Sequence, residues 1–228
     1  MTRGPSCLLL QAADVPPQLD WLGPGERQHL ASLRLAKRRS EWLLGRWTAK
    51  QTIILAPEIH LDIRDPARLE ILPTHEGGPK IFLGGSALPL AISLSHRAGA
   101  AFCVVAEAGR VGCDLEWIED RSEAFVEDYF TPSEQALIKE NGAETQALVA
   151  NGLWSVKESV LKLLGLGLRV DTRSMTVVSF PRMTPEEWQP FVVHHHPDAQ
   201  EFKGWWRRRD GWLLTVVSDP ESHCPVER

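Results

Sequence analysis

Cysteine is scarce in this 228-residue chain, and the few cysteines stand far apart. They are Cys7, Cys103, Cys113 and Cys224, and none belongs to a Cys-x-x-Cys pair. This spacing excludes a disulfide framework and a sulfur-rich zinc site. It is typical of proteins from a reducing compartment, so we expect a cytoplasmic location.

The sequence also lacks a long apolar run and an excess of positive charge. No apolar stretch reaches the roughly 18 residues of a membrane span, and the short apolar run before Gln11 is weak for a signal peptide. The formal charge is −5, which argues against bulk nucleic-acid binding but permits a local basic site for a phosphorylated small molecule. We therefore expect neither a membrane nor a nucleic acid among the partners.

The composition is that of a folded globular protein, with 43% hydrophobic and 24% charged residues. A weak internal repeat suggests two related parts, because the segment beginning at Trp47 (Trp-Thr-Ala-Lys-Gln) resembles the one beginning at Trp154 (Trp-Ser-Val-Lys-Glu). Only the second copy ends in an acid, so we expect one active site. We place the halves at residues 1–108 and 109–228.

Periodicity and turn chemistry predict the main elements. Helical spacing covers residues 41–55 and about 147–164, and strand patterns cover 90–94, 100–106 and 111–117. Thr131-Pro132-Ser133-Glu134 is typical of a helix start. Asp210-Gly211 between apolar runs predicts a hairpin. His194-His195-His196 is expected in a surface loop, and the Trp205–Arg209 run in one arm of that hairpin.

The first chemical motif is Asp114-Leu115-Glu116. Strand alternation sends both carboxylates to one face, and two hard oxygen ligands suit Mg²⁺, or Mn²⁺. Taken alone, the motif is equally compatible with a solvated strand face that carries two acids.

The second motif is a line of residues four apart on one helix: Trp154, Glu158 and Lys162. Taken alone, it is also compatible with an amphipathic helix that carries an ordinary Glu-to-Lys pair. Combined with Asp114 and Glu116, it supplies what a metal-assisted attack on a pyrophosphate needs. These requirements are metal ligands, a proton acceptor and a positive charge for the phosphates.

Together these segments resemble the signature of the 4′-phosphopantetheinyl transferase superfamily. The similarity covers the segment beginning at Val111 (Val-Gly-Cys-Asp-Leu-Glu), the segment from Trp154 to Lys162, and Gly165-Leu166-Gly167-Leu168. Ser93-Leu94-Ser95-His96 and Trp42-Leu43-Leu44-Gly45-Arg46 extend it upstream in the family's order. The length and the repeat resemble the larger, pseudo-twofold monomeric branch of the surfactin-synthetase-activating type.

The resemblance implies an α+β fold of two similar α/β halves in a pseudo-twofold arrangement, each with a small antiparallel sheet packed on a long helix. The first half would contact the coenzyme A nucleotide, the second would carry the metal and the catalytic carboxylates, and the active site would lie at their interface. The implied reaction transfers 4′-phosphopantetheine from coenzyme A to a serine of an apo acyl or peptidyl carrier protein and releases 3′,5′-ADP. The enzyme would be a holo-[acyl-carrier-protein] synthase that acts as a monomer.

The resemblance also implies roles for individual residues. Glu158 would be the base for the carrier serine, directly or through a water, and Lys162 would neutralise phosphate charge. The implied metal ligands are Asp114, Glu116 and Glu158. The implied coenzyme A contacts are Arg46, Ser95, His96 and Lys162, with Lys50 and Arg39 as further candidates on the helix of Arg46.

Two departures from the family pattern concern the coenzyme A phosphates. Gly78 stands where the family commonly has a lysine, and Lys80 is the candidate replacement. Arg97 follows the histidine where the family commonly has Ser or Thr, and its guanidinium suits a phosphate. Two other functions remain open on sequence grounds: a homologue that binds coenzyme A or a carrier without catalysis, and a Mg²⁺-dependent pyrophosphate hydrolase.

Overall fold

The computed structural model describes residues 4–74, 77–180, 186–220 and 223–228. The chain divides into two compact units, Met1–Val111 with Pro225–Arg228, and Gly112–Cys224. Both units combine helices with β-sheet, so the expected α+β class is confirmed. In the described part of the chain, no helix is long and apolar enough to cross a membrane.

The principal elements follow one another in the same order in both units: a strand, helices that end in a long one, and then further strands. The helices are α1 (Pro24–Ser32), α2 (Ala36–Leu55), α3 (Glu123–Tyr129), α4 (Pro132–Glu140) and α5 (Ala143–Leu164). The strands are β1 (Ser6–Gln11), β2 (Leu69–Pro73), β3 (Pro79–Leu83), β4 (Ser86–Ala87), β5 (Ala91–Arg97), β6 (Ala100–Ala106), β7 (Arg110–Trp117), β8 (Met175–Ser179), β9 (Gln189–His195), β10 (Gln200–Arg209), β11 (Trp212–Asp219) and β12 (Val226–Glu227).

The first unit has two sheets around α2. One has the strand order β12-β1-β6-β5 and the other β2-β3-β4. Within the four-stranded sheet β12 runs parallel to β1, and the other neighbours are antiparallel. Ala49 and Ile53 of α2 pack in a buried cluster with Ile71, Ile81 and Val105, which joins the helix to both sheets.

The second unit has one five-stranded sheet of order β7-β11-β10-β9-β8, with α5 packed on β11. Its core includes Val156 and Val160 of α5 together with Phe191, Trp206 and Leu213 of the sheet. The helix is therefore amphipathic: its apolar residues face the core, and another face is left for polar residues.

Turn chemistry is the part of the fold that the sequence predicts best. Asp210 and Gly211 have φ of 48° and 82°, and β10 and β11 pair up to Arg209 and Trp212, which confirms the hairpin. The helix start at Thr131 is also confirmed, because Glu134 accepts a hydrogen bond from the Thr131 backbone.

Several boundaries differ from the sequence predictions. The strand predicted to end at residue 94 continues to Arg97, because Ala98 and Gly99 have φ of 44° and 81° and form a tight turn at its end. Helix α2 begins at residue 36 rather than 41, and α5 at 143 rather than 147.

The expectation of a surface loop at His194-His195-His196 is wrong for the first two residues. Both lie in β9, which pairs with β8 on one side and with β10 on the other. The alternation of the strand sends His195 toward the core, where it is 8% exposed. A run of identical residues hides this alternation in the sequence.

Gly112 lets β7 approach the backbone of α5. A Cβ at this position would overlap the carbonyl oxygen of Ser159 and the backbone nitrogen of Leu163. Since these are backbone atoms, no side-chain rotation relieves the overlap. The glycine therefore fixes the distance between β7 and the middle of α5.

We predict that Gly112→Ala destabilises the protein by about 1–3 kcal/mol or more, because the added methyl group forces two backbones apart. Gly45→Ala is the matched control, since a Cβ there meets nothing within 4 Å among the described residues and the site lies inside α2. It is expected to stabilise by up to about 1 kcal/mol through helix propensity. Urea unfolding measures both changes, and a Gly112→Ala variant as stable as the wild type would contradict the close approach.

Candidate active site

A polar stripe along α5 faces the two carboxylates of β7. The stripe consists of Asn151, Trp154, Glu158 and Lys162, which recur at the three- and four-residue spacing of one helix face. Asp114 is 4% exposed and Glu116 is 9% exposed. They therefore do not lie on a solvated strand face, which was the other interpretation of this motif.

Lys162 binds the first of these carboxylates. Its Nζ lies 2.7 Å from Oδ1 of Asp114. Burial is the largest single effect and lowers the pKa of Lys162, but the charge of Asp114, the hydrogen bond to it and the charges of Cys113 and Glu158 together outweigh burial, so the net pKa is raised. The lysine is therefore protonated at neutral pH, and it reaches across to the strand as well as lying one turn from Glu158.

Glu116 is held at both oxygens. The Nε1 of Trp154 donates to Oε1 at 3.1 Å, and the Nη2 of Arg121 donates to Oε2 at 3.0 Å. Arg121 is itself fixed, because its Nε donates to Oδ1 of Asn151 at 2.8 Å. Sequence reasoning missed Arg121 and Asn151. Asn151 carries a detectable signal, since it lies three residues before Trp154 on the same stripe.

Glu158 lies between these two arrangements along the stripe. Its Oε1 is buried and has no hydrogen-bond partner among the described residues. Burial raises the pKa of Glu158 to about 7, with further increases from Asp114 and Glu116 and an opposing effect of Lys162. A carboxylate with a pKa near neutrality is suited to accept a proton from a substrate at physiological pH.

The charges of this cluster fit a cation. Lys162 and Arg121 contact the carboxylates of Asp114 and Glu116, and the nearby Glu158 makes the cluster negative when it ionises. Mg²⁺ takes oxygen ligands and is usually held by one or two carboxylates, water and substrate phosphates. Within the described ranges, no three His, Cys, Asp or Glu side chains stand together as a metal-binding group. The unpartnered oxygen of Glu158 is the observation that fits a metal ligand.

The first unit contains a separate cavity of about 560 Å³ between α2 and β5. Three of the predicted coenzyme A contacts line it: Arg46, Ser95 and His96. Lys37 and Arg38 also line it. Sequence reasoning missed these two, although the basic run at residues 37–39 marks the start of the helix. The cavity therefore combines several basic groups and a hydroxyl with one carboxylate, that of Glu41.

Arg46 is the most distinctive group in this cavity. Its Nε is buried without a hydrogen-bond partner among the described residues, and its guanidinium carbon lies 5.0 Å from the centre of the Trp42 ring. Burial lowers the pKa of Arg46, and the charge of Glu26 opposes this. A half-buried guanidinium that lines a cavity and has an unused donor is suited to bind an anion.

The other predicted coenzyme A contacts have different surroundings. Lys80 is exposed on β3, and Arg97 is the last residue of β5; neither is among the residues that line the cavity. Their assignment stays a prediction, as does the expected active site where the halves meet. Lys50 does not reach the cavity, because it is fully buried against Glu26. Arg39 donates to the carbonyl oxygens of Leu30 and Leu33.

Comparison with known proteins supports the class that this site suggests. Residues 110–217, which run from β7 into β11 and include all the site carboxylates, match the family model described as "4'-phosphopantetheinyl transferase superfamily". This match agrees with the resemblance that the motifs predict for this segment of the chain. Its branch within the superfamily stays a prediction.

The curated relatives include proteins described as 4'-phosphopantetheinyl transferase AcpT, from Salmonella typhi and Salmonella typhimurium. Each is 27% identical over 130 residues, a match that covers 56% of this chain and 60% of the relative. The chain thus matches less than two thirds of the length of these relatives.

Two solved structures are similar to parts of the chain. One is an apo-ACPS structure described as from Chronobacterium ammoiniagenes, with 24% identity and a TM-score of 0.38 over 44% of this chain and 92% of that one. The other is the Thermotoga maritima holo-[acyl-carrier-protein] synthase, with 23% identity and a TM-score of 0.38 over 57% and 76% of the two chains.

The raised pKa of Glu158 predicts how stability depends on pH without metal. The ordinary pKa of a glutamate is 4.5, whereas that of Glu158 in the folded protein is about 7. The folded state therefore binds the proton more tightly, and stability falls as pH rises between these values. Glu158→Gln removes this loss. Its melting temperature relative to the wild type is therefore expected to increase from about pH 5 to about pH 8 in EDTA.

Thermal unfolding at the two pH values measures this difference. Glu127→Gln on the exposed side of α3 is the control, and its difference from the wild type is expected to stay constant. If the Glu158→Gln difference also stayed constant, Glu158 would have an ordinary pKa.

Proposed function

We propose that the protein transfers the 4′-phosphopantetheine group of coenzyme A to a serine of an apo acyl or peptidyl carrier protein, with Mg²⁺, and releases 3′,5′-ADP. The superfamily match over residues 110–217 supports this reaction class. The observation that carries the proposal is Glu158, a half-buried carboxylate whose Oε1 is buried without a hydrogen-bond partner and whose pKa is about 7 beside Asp114 and Lys162. The single chain is expected to act as a monomer.

In this reaction Glu158 accepts the proton of the carrier serine, directly or through a water. The serine oxygen then forms a bond to the phosphorus that carries pantetheine, the pyrophosphate P–O bond breaks, and 3′,5′-ADP leaves. Lys162, held by Asp114, places a positive charge beside the phosphates. Mg²⁺, or Mn²⁺, would be held by Asp114, Glu116 and Glu158 and would supply further positive charge to the pyrophosphate.

The cavity of the first unit is proposed to bind the nucleotide end of coenzyme A. Its volume of about 560 Å³ lies in the usual range of small-molecule sites. Arg46 supplies an unused donor, and Ser95 and His96 line the same cavity from β5. We propose Lys80 and Arg97 as contacts for the parts of coenzyme A that extend outside this cavity.

We predict that the wild-type protein adds one phosphopantetheinyl group to at least one carrier in a mixed panel of apo carrier proteins. Glu158→Gln is expected to lose about 10²- to 10⁴-fold in rate, which is the usual effect of losing a general base. Intact-mass spectrometry of the carriers after incubation with coenzyme A and Mg²⁺ measures the transfer. Glu127→Gln is the matched control and should retain the full rate.

Other outcomes of the same assay would replace the proposal. Cleavage of coenzyme A in the absence of any carrier would identify a pyrophosphate hydrolase. Binding of coenzyme A without product on any carrier would identify a non-catalytic homologue.

We also predict that Arg46→Met weakens coenzyme A binding by about 10- to 100-fold, the usual loss for a hydrogen bond to a charged group. Titration calorimetry measures the affinity. Arg64→Met is the control, because Arg64 is exposed, pairs with Asp62 and does not line the cavity. Equal affinity in the two variants would remove Arg46 from the nucleotide site.

A further inference from the structure

The long helix of the second unit contains a fully buried lysine that none of the steps above uses. The Nζ of Lys157 lies 2.7 Å from Oε2 of Glu134, and both side chains are essentially inaccessible to solvent. The same Nζ donates to the carbonyl oxygens of Tyr129 and Thr172. It also lies 5.4 Å from the centre of the Phe130 ring. One ammonium group thus connects α5 to three other places in the unit.

The first unit repeats this arrangement around Lys50. Its Nζ lies 2.6 Å from Oε2 of Glu26, again with both side chains fully buried. It donates to the carbonyl oxygens of Trp21 and Pro66, and it lies 5.4 Å from the centre of the Trp21 ring. The two lysines occupy matching positions of the sequence repeat, and their partners follow in the same order along the chain.

The two glutamates also have matching partners. Glu26 and Glu134 are each the third residue of a helix that starts with proline, and each accepts a hydrogen bond from the residue that caps that helix. The other oxygen of each accepts from a strand: Glu26 from the backbone N–H of Ile71, and Glu134 from that of Val177. We call each lysine with its glutamate and these backbone partners an anchor.

An anchor constrains the rotation of its long helix. A buried ion pair is weak evidence for stability, because apolar residues of similar volume often stabilise as well. It differs from an apolar contact in having directed partners on several sides. A rotation of the helix by about 10° moves a carboxylate about 6 Å from its axis by about 1 Å. A displacement of that size is enough to reduce catalysis about 100-fold.

The helix faces that the anchors orient carry different groups. In α5, Glu158 directly follows Lys157. In α2, Arg46 lies one turn before Lys50, and Gln51 occupies the position that corresponds to Glu158. The Lys157 anchor is thus next to the carboxylate site, and the Lys50 anchor is next to the cavity that is proposed to bind an anion.

We propose that Lys157 and Lys50 are positioning residues with separate effects on one reaction: Lys157 orients Glu158 for the transfer step, and Lys50 orients Arg46 for coenzyme A binding. Neither lysine contacts the substrate. The effect on transfer rests on the proposed function, whereas the effect on coenzyme A binding requires only that the cavity binds this ligand.

The test replaces each anchor by a neutral pair. Single Lys→Met variants leave a buried carboxylate without its partner and are expected to unfold easily. Lys157→Met with Glu134→Gln, and Lys50→Met with Glu26→Gln, keep the volume and an acceptor for the strand N–H. Hydrogen exchange at the amides of Val177 and Ile71 reports on each anchor directly, without any activity measurement.

The two double variants are expected to change different kinetic constants. The Lys157→Met, Glu134→Gln double variant (the Lys157 pair) is expected to lower kcat by about 10- to 100-fold. Its KM and Kd for coenzyme A should stay within about twofold of the wild type. The Lys50 pair raises the coenzyme A KM and Kd by a similar factor and leaves kcat nearly unchanged. Both double variants are expected to lower the melting temperature to a comparable extent. If the anchors only stabilised the fold, the two double variants would therefore show the same kinetic change.

Two results would overturn the proposal: wild-type kinetics in both variants, or equal losses of kcat and coenzyme A affinity in both. If the wild-type protein transfers nothing to any carrier, the proposed function fails separately. The Kd of coenzyme A for the Lys50 pair, compared with that for the Lys157 pair, then decides the inference. Equal affinities in that comparison would reject it.

Discussion

The approach of β7 to α5 at Gly112 is the constraint on which the carboxylate site depends. The two backbone groups that Gly112 faces belong to Ser159 and Leu163, which are the sequence neighbours of Glu158 and Lys162. Asp114 lies two residues further along the same strand. A single backbone contact therefore sets the distance between the strand that carries one acid and the helix turns that carry another acid and the lysine.

Once these groups are this close, burial determines their chemistry. Asp114 is compensated by Lys162, and Glu116 by Arg121 with the indole of Trp154. Burial raises the pKa of Glu158 to about 7, the charge of Asp114 raises it further, and the charge of Lys162 opposes both. The site thus holds two acids in place through their contacts and leaves Glu158 suited to exchange a proton or to bind a cation.

Much of this could be predicted from the sequence because the relevant signals are local. The Asp210-Gly211 turn, the Thr131 helix start and the spacing of Trp154, Glu158 and Lys162 each depend on neighbours a few residues away. The burial of Asp114 and Glu116 is not local, since it depends on α5 covering β7. Arg121 and Asn151 escaped notice for the same reason, because each acquires its role from a partner about 30 residues away.

The paired role of Lys50 also could not be predicted from local pattern. From the sequence, Lys50 is expected to be a further basic contact for coenzyme A on the helix of Arg46. Its partner Glu26 lies in a different helix, and only the packing of α2 on the rest of the unit shows that the charge is satisfied internally. The repeat indicated that the position matters, whereas the structure shows what it contacts.

The anchors have a consequence for how the length of the chain can vary. Within each unit, the anchor and the carbonyl groups that its lysine contacts lie at six points along the sequence, from Trp21 to Ile71 in the first unit and from Tyr129 to Val177 in the second. The intervals between these points are nearly the same in both units. Residues inserted inside such an interval must be accommodated without moving either end. Insertions and deletions are therefore best tolerated outside these intervals, for example in the turn of residues 196–199 between β9 and β10.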